Sequence, residues 1–121
     1  MCRYRRCRSK DRTKLDLWNT KVTEAGLKEI ASLKRLTELG LAHTEVTDAG
    51  LREIASLKRL TDLNLFNTNV TDVGLKEIAQ LKDLNDLNLS ATGVTDAGLA
   101  ELRKVLPKCE IVAFPRVEIV R

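Results

Sequence analysis

His43 is the only histidine in this 121-residue chain, and Cys2, Cys7 and Cys109 are its only thiols. That inventory narrows the possible chemistry. A structural or catalytic zinc site draws on several His, Cys or carboxylate ligands at close spacing. Here there is no second histidine and no Cys-x-x-Cys pair. A nucleophile needs a base within reach, and no serine or cysteine has one in a comparable position. Calcium takes six or more oxygens converging on one point, whereas these carboxylates are strung along the chain. A phosphate-cradling Gly-x-x-x-x-Gly-Lys loop is absent. The residues therefore point away from an enzyme and from any resident metal or cofactor. What remains able to make specific contact is a scarce set of aromatics, chiefly Trp18 and Phe66, and a series of regularly spaced acids.

The spacing of those residues follows from the elements that carry them. Leu15, Leu39, Leu63 and Leu87 recur every 24 residues, as do Leu17, Leu41, Leu65 and Leu89. Val22, Val46, Val70 and Val94 keep the same period, followed by Thr23, Thr47, Thr71 and Thr95 and by Gly26, Gly50, Gly74 and Gly98. A fixed period of this length marks a stacked solenoid, in which each unit buries its apolar face only against its neighbours. Within 37–60, the segment 38–42 alternates apolar and polar or small residues, the mark of a strand with one buried face. Thr47 then reads as a helix N-cap, with Asp48 at the positive end of the macrodipole. Leu51, Ile54 and Ala55 form the buried stripe of that helix. The pattern predicts a strand of about five residues and a helix of about nine in each unit. Helix starts are expected near Glu24, Asp48, Asp72 and Asp96. Glu24 with Lys28, Asp48 with Arg52 and Asp72 with Lys76 have the spacing of helical ion pairs.

Two repeated residues have more than one reading. Thr20, Thr44, Thr68 and Thr92 follow each strand, where a hydroxyl can satisfy backbone groups; recent duplication alone would also leave them alike. A glycine inside a helix costs about 1 kcal/mol relative to alanine. Four of them imply either a positive φ or close packing between helix starts, and close packing is the favoured reading.

The pattern Leu-x-x-Leu-x-Leu-x-x-Thr-x-Val carries a family resemblance. It is seen in Leu36, Leu39, Leu41, Thr44 and Val46, and again in Leu60, Leu63, Leu65, Thr68 and Val70. Over nearly all of 13–112 the chain resembles leucine-rich-repeat proteins. The longer form Val-Thr-Asp-Ala-Gly-Leu is similar to repeats of bacterial members and of the cysteine-containing subclass. Thr20, Thr44, Thr68 and Thr92 depart from that subclass, which often carries Asn or Cys there. The resemblance implies an α/β solenoid, with short parallel strands on a concave face and helices on the convex face.

Four repeats are expected at 13–36, 37–60, 61–84 and 85–108, with a fifth strand near 109–112. Leu87 to Cys109 spans 22 residues, so the last link reads as two residues short, with Cys109 as a small buried apolar group. Residues 113–121 read as an edge or cap. Residues 1–12 read as a basic flexible arm. Residues 1–14 hold seven basic residues against one acidic, so the rest of the chain is net −2 within a total of +4.

On the outward side of the strands the copies differ. The first column is Lys14, Glu38, Asp62, Asp86 and the second is Asp16, Gly40, Asn64, Asn88. The third is Trp18, Ala42, Phe66, Ser90 and the fourth is Asn19, His43, Asn67, Ala91. Variation on a repeated frame suits a binding surface, and exposed aromatics among polar groups are typical anchors. Trp18 and Phe66 should lie about 10 Å apart, with a shallow dip at Gly40 and Ala42 between them. The candidate partner-binding residues are thus Asp16, Trp18, Glu38, His43, Asp62, Asn64, Phe66, Asp86 and Asn88. The expected partner is a protein or peptide, basic if the acids set its charge. The alternatives are a nucleic-acid or anionic-surface binder acting through Arg3, Arg5, Arg6 and Arg8, or a solenoid fragment of a larger protein. No apolar run reaches the roughly 18 residues of a membrane span, and the basic N-terminus lacks an apolar stretch behind it. A cytoplasmic location is the expectation.

Overall fold

A computed structural model describes residues 13–114. The expected arm at 1–12, with its arginines, and most of the expected C-terminal cap, at 115–121, lie outside the described residues.

Strands and helices alternate through the chain. The strands are β1 (Lys14–Asp16), β2 (Glu38–Gly40), β3 (Asp62–Asn64), β4 (Asp86–Asn88) and β5 (Glu110–Val112). The helices are α1 (Glu24–Ala31), α2 (Asp48–Ile54), α3 (Asp72–Ile78) and α4 (Asp96–Val105). All strands pair in parallel in the order β1-β2-β3-β4-β5. This is an α/β solenoid, and its helices start at the four positions expected from the Thr-Asp/Glu signals. The strands are three residues long rather than about five, because a tight turn follows each one.

The inward leucines form continuous columns. Leu15, Leu39, Leu63 and Leu87 pair in register and are joined by Ile111. They lie in one core with Leu41, Leu65, Leu51, Ile54 and Ile78. The period is therefore kept at 24 through the last unit, and the 22-residue link expected from Cys109 is incorrect. Helix α4 has ten residues against seven in α2 and α3. The link to β5 shortens by the same amount, so Ile111 takes the leucine position and Cys109 precedes the strand.

Each repeated polar residue has a task. Thr20, Thr44, Thr68 and Thr92 donate their hydroxyls to the carbonyls of Leu17, Leu41, Leu65 and Leu89 at 2.7–2.8 Å. These bonds close the turn after each strand. No glycine has a positive φ. A Cβ on Gly74 would sit 2.5 Å from Asp48 Oδ1 and 2.7 Å from Leu51 Cδ1, and one on Gly50 would strike Leu27. Close packing is thus the reason for the helical glycines of repeats two to four.

The expected ion pairs within helices do not form. Among the described residues the ion pairs are Lys14–Glu38 and Lys104–Glu101. Asp48 instead turns to the next repeat. Its Oδ1 accepts from Thr71 N–H at 2.8 Å and its Oδ2 from the Thr71 hydroxyl at 2.5 Å. Asp72 holds Thr95 in the same way. A carboxylate gains more from two aligned donors than from a flexible, solvated Lys or Arg one turn away.

Candidate partner-binding face

The outward side of the sheet is an open groove whose floor includes Glu38, Asp62, Asp86, Asn64 and Asn88. The first column runs across all five strands as Lys14, Glu38, Asp62, Asp86 and Glu110. Lys14 Nζ lies 3.6 Å from Glu38, which balances the β1 end. Asp62, Asp86 and Glu110 have no ion-pair partner among the described residues. Glu110 was not expected in this row; adding 24 to Asp86 would have found it.

The second column turns partly inward in function. Asp16 Oδ1 accepts from Trp18 N–H at 3.1 Å, Asn64 Oδ1 from Phe66 N–H at 3.0 Å, and Asn88 Oδ1 from Ser90 N–H at 2.9 Å. These are Asx turns that shape the backbone leaving each strand. The acceptor oxygens of Asn64 and Asn88 thus serve the frame. Gly40 cannot make this turn. A Cβ there would lie 2.7 Å from Asp16 Oδ1, so the glycine leaves room for the neighbouring carboxylate.

The fourth column has an unanticipated backbone role. Asn19, His43, Asn67 and Ala91 all have φ between 57° and 60°. Asn and His are among the non-glycine residues enriched in this left-handed region. The recurrence of Asn, His and Asn at one register was the legible signal for it.

Gly40 lines the groove as expected, while a third ring occupies the space between Trp18 and Phe66. Ala42 is only 4% exposed, and the ring of His43 stands between the two aromatics. Its centroid lies 5.8 Å from that of Trp18 and 5.0 Å from that of Phe66, both edge-on. Asn67 Nδ2 lies at hydrogen-bond distance, 3.0 Å, from His43 Nδ1. Edge-to-face contacts of this kind favour a defined ring orientation. Trp18 stays 59% exposed and Phe66 is half-buried. The structure therefore brings Trp18, His43 and Phe66 together beside the acidic row.

The third column also reaches further than expected. Phe114 N–H donates to Ser90 Oγ at 3.0 Å, and Ala91 N–H donates to Phe114 O at 2.8 Å. Phe114 thus continues the column 48 residues beyond Phe66, and it is 71% exposed. Reading Cys109 as the leucine equivalent shifted this segment by two residues and hid both Phe114 and Glu110. Cys109 itself is half-buried. Burial first, then the Asp86 and Glu110 carboxylates, push its thiol up to about 11. It stays protonated at neutral pH and is a poor nucleophile.

Among the described residues, no group of three or more His, Cys, Asp or Glu could hold a metal ion. No helix among them is long and apolar enough to cross a membrane.

Comparison with known proteins agrees with the architecture. A family profile described as Leucine Rich repeat matches residues 34–55 and 58–79. No curated protein sequence matches the chain. Among solved structures, Leiomodin-1 Actin-Binding Site 2 has a TM-score of 0.66 at 18% identity, covering 87% of this chain and 72% of that one. The Chaetomium Mex67:Mtr2 subunits give 0.61 at 19% identity, covering 90% and 83%. A leucine-rich-repeat protein of Leptospira interrogans gives 0.57 at 29% identity, covering 82% of this chain but 30% of that one. With its 24-residue period and its parallel solenoid, the chain has the leucine-rich-repeat fold, and residues 34–55 and 58–79 match the profile of that family.

Proposed function

We propose that the protein is a non-enzymatic interaction module whose repeat domain, residues 13–112, binds a protein or peptide on its concave face. The observation that carries this reading is the row of edge-packed rings, Trp18, His43 and Phe66, bordering the sheet. Such a row offers large apolar area already fixed in place, which lowers the ordering cost of binding. Asp16, Glu38, Asp62, Asp86, Asn64 and Asn88 lie beside it and set charge and polar preference. Two similar folds are those of an actin-binding site of Leiomodin-1 and of the Mex67:Mtr2 subunits. At under 20% identity they lend the fold, and a protein partner is the class in keeping with it. The free Cys109 thiol suits a reducing compartment, so a cytoplasmic location is part of the proposal.

The test is selection of peptides from a random display library on the intact chain, followed by affinity measurement with two sets of variants. Trp18→Ala and Phe66→Ala should each weaken binding by about tenfold or more, as truncated anchors do. Lys28→Ala and Lys76→Ala, on the helix side, should change it less than about twofold. The opposite pattern would reject the concave-face assignment.

A further inference from the structure

The concave face is longer across the strands than along them. Each strand has three residues, while the sheet is five strands wide. At about 4.8 Å per strand the face spans about 19 Å from β1 to β5, against about 10 Å along one strand. Two different linings run along that longer axis. On one side lie the carboxylates of Glu38, Asp62, Asp86 and Glu110, only the first of them paired, with Lys14. On the other side the face becomes apolar toward β5. Val112 stands in register with Asn88 and is 39% exposed, and Phe114 follows it in the column of Phe66.

Resting on the reading of this face as the binding surface, we propose that its occupant is an extended segment laid across the strands, with basic and apolar side chains in alternation. Successive side chains of an extended chain point to opposite sides. A segment lying flat between the two linings therefore sends one set to the carboxylates and the other to Val112, Phe66 and Phe114. The distances agree. Same-side residues are about 6.8 Å apart, so three basic residues span about 14 Å, close to the three strand spacings from Glu38 to Glu110. The matched charge favours arginine or lysine in that set. Every strand between β1 and β5 is already paired on both edges, so recognition on the face runs through side chains and not through strand addition.

The probe is a dye-labelled Leu-Arg-Leu-Arg-Leu-Arg-Leu peptide, compared with a block isomer, Arg-Arg-Arg-Leu-Leu-Leu-Leu, of the same composition. The full chain should bind the alternating peptide about tenfold more tightly than the block isomer at physiological salt. The triple variant Asp62→Asn, Asp86→Asn, Glu110→Gln should remove that preference while keeping the wild-type circular dichroism spectrum. Phe114→Ala should weaken the alternating peptide by about fivefold and leave the block isomer unchanged. Equal affinity for the two peptides, or a preference that survives the triple variant, would overturn the proposal. The library selection separates this failure from a failure of the face itself. Selected peptides that lack basic residues yet depend on Phe66 would reject the alternating basic ligand and leave the concave face standing. Dependence on Lys28 and Lys76 instead would reject both.

Discussion

The junction between the first two repeats and the two junctions after it differ by one methylene group. Asp48 and Asp72 each reach across to the N-cap threonine of the next helix and hold both its N–H and its hydroxyl. Repeat one has Glu24 at that position, and no such bond joins it to Thr47. The same junction lacks a second tie. Thr47 bridges Asn69 and Thr71 bridges Gly93 in parallel, while Thr23 has no matching bridge to repeat two. Thr47 is also the one N-cap threonine that makes no side-chain capping bond. The lesson concerns how a solenoid is coupled. Apolar burial is common to all junctions, and the carboxylate latch is an added, directional tie that a longer side chain does not reproduce.

The largest expected effect tests what the junctions share. Leu63→Ala removes a side chain that is 2% exposed in the central strand. It should cost about 2–5 kcal/mol, through lost burial and a residual cavity. Hydrogen exchange should show the latched unit, repeats two to four, losing protection together, with repeat one changing least. A uniform loss over all four repeats would dissolve the distinction between junctions.

Cutting a latch should come next. Asp48→Ala removes two charge-assisted bonds and leaves the Thr71 donors without their carboxylate, at about 1–3 kcal/mol. Glu24→Ala, at the matching place in repeat one, should stay within about 0.5 kcal/mol. Urea midpoints of the two variants decide the matter, and equal costs would show that the latch adds nothing.

The converse change sharpens the comparison. Glu24→Asp shortens the side chain to the latch length and should stabilise by about 0.5–1 kcal/mol, the scale of a helix-cap improvement. The Thr47 amide should gain exchange protection at the same time. A neutral or negative change in melting temperature would mean that the first junction is spaced too widely for the latch.

A smaller effect is expected away from the junctions. Ala91 has φ 60°, where the equivalent residues of three other repeats are Asn, His and Asn. Ala91→Asn should stabilise by about 0.5 kcal/mol, since Asn tolerates the left-handed region better than Ala. Trp18→Ala should leave the melting temperature nearly unchanged, because a side chain 59% exposed contributes little burial. A large drop there would make Trp18 part of the frame and not an anchor.

Much of the frame was legible because its causes are local and recur. The 24-residue spacing of Leu15, Leu39, Leu63 and Leu87 implies stacking, since no single unit can bury its own apolar face. The Thr-Asp pairs mark helix starts because capping is satisfied within a few residues. The hydroxyl of Thr44 could be assigned to the backbone for the same reason. Even the glycines of the helices followed from an energetic cost that needed a close neighbour to justify it. The candidate acids of the first column were placed by alternation alone.

What tertiary structure decided is how groups from different repeats share space. Asp48 chooses Thr71 over Arg52 because its neighbour repeat places two donors at bonding distance, which no spacing within a helix reveals. His43 fills the gap between Trp18 and Phe66 because a left-handed residue redirects the chain after each strand. Phe114 and Glu110 join the face because α4 gains three residues while its link loses three, a conserved sum that reading Cys109 in the leucine place obscured. The period and the caps are one-dimensional properties of the chain. The latch, the ring row and the extent of the face depend on distances between repeats, and those are set only when the stack is assembled.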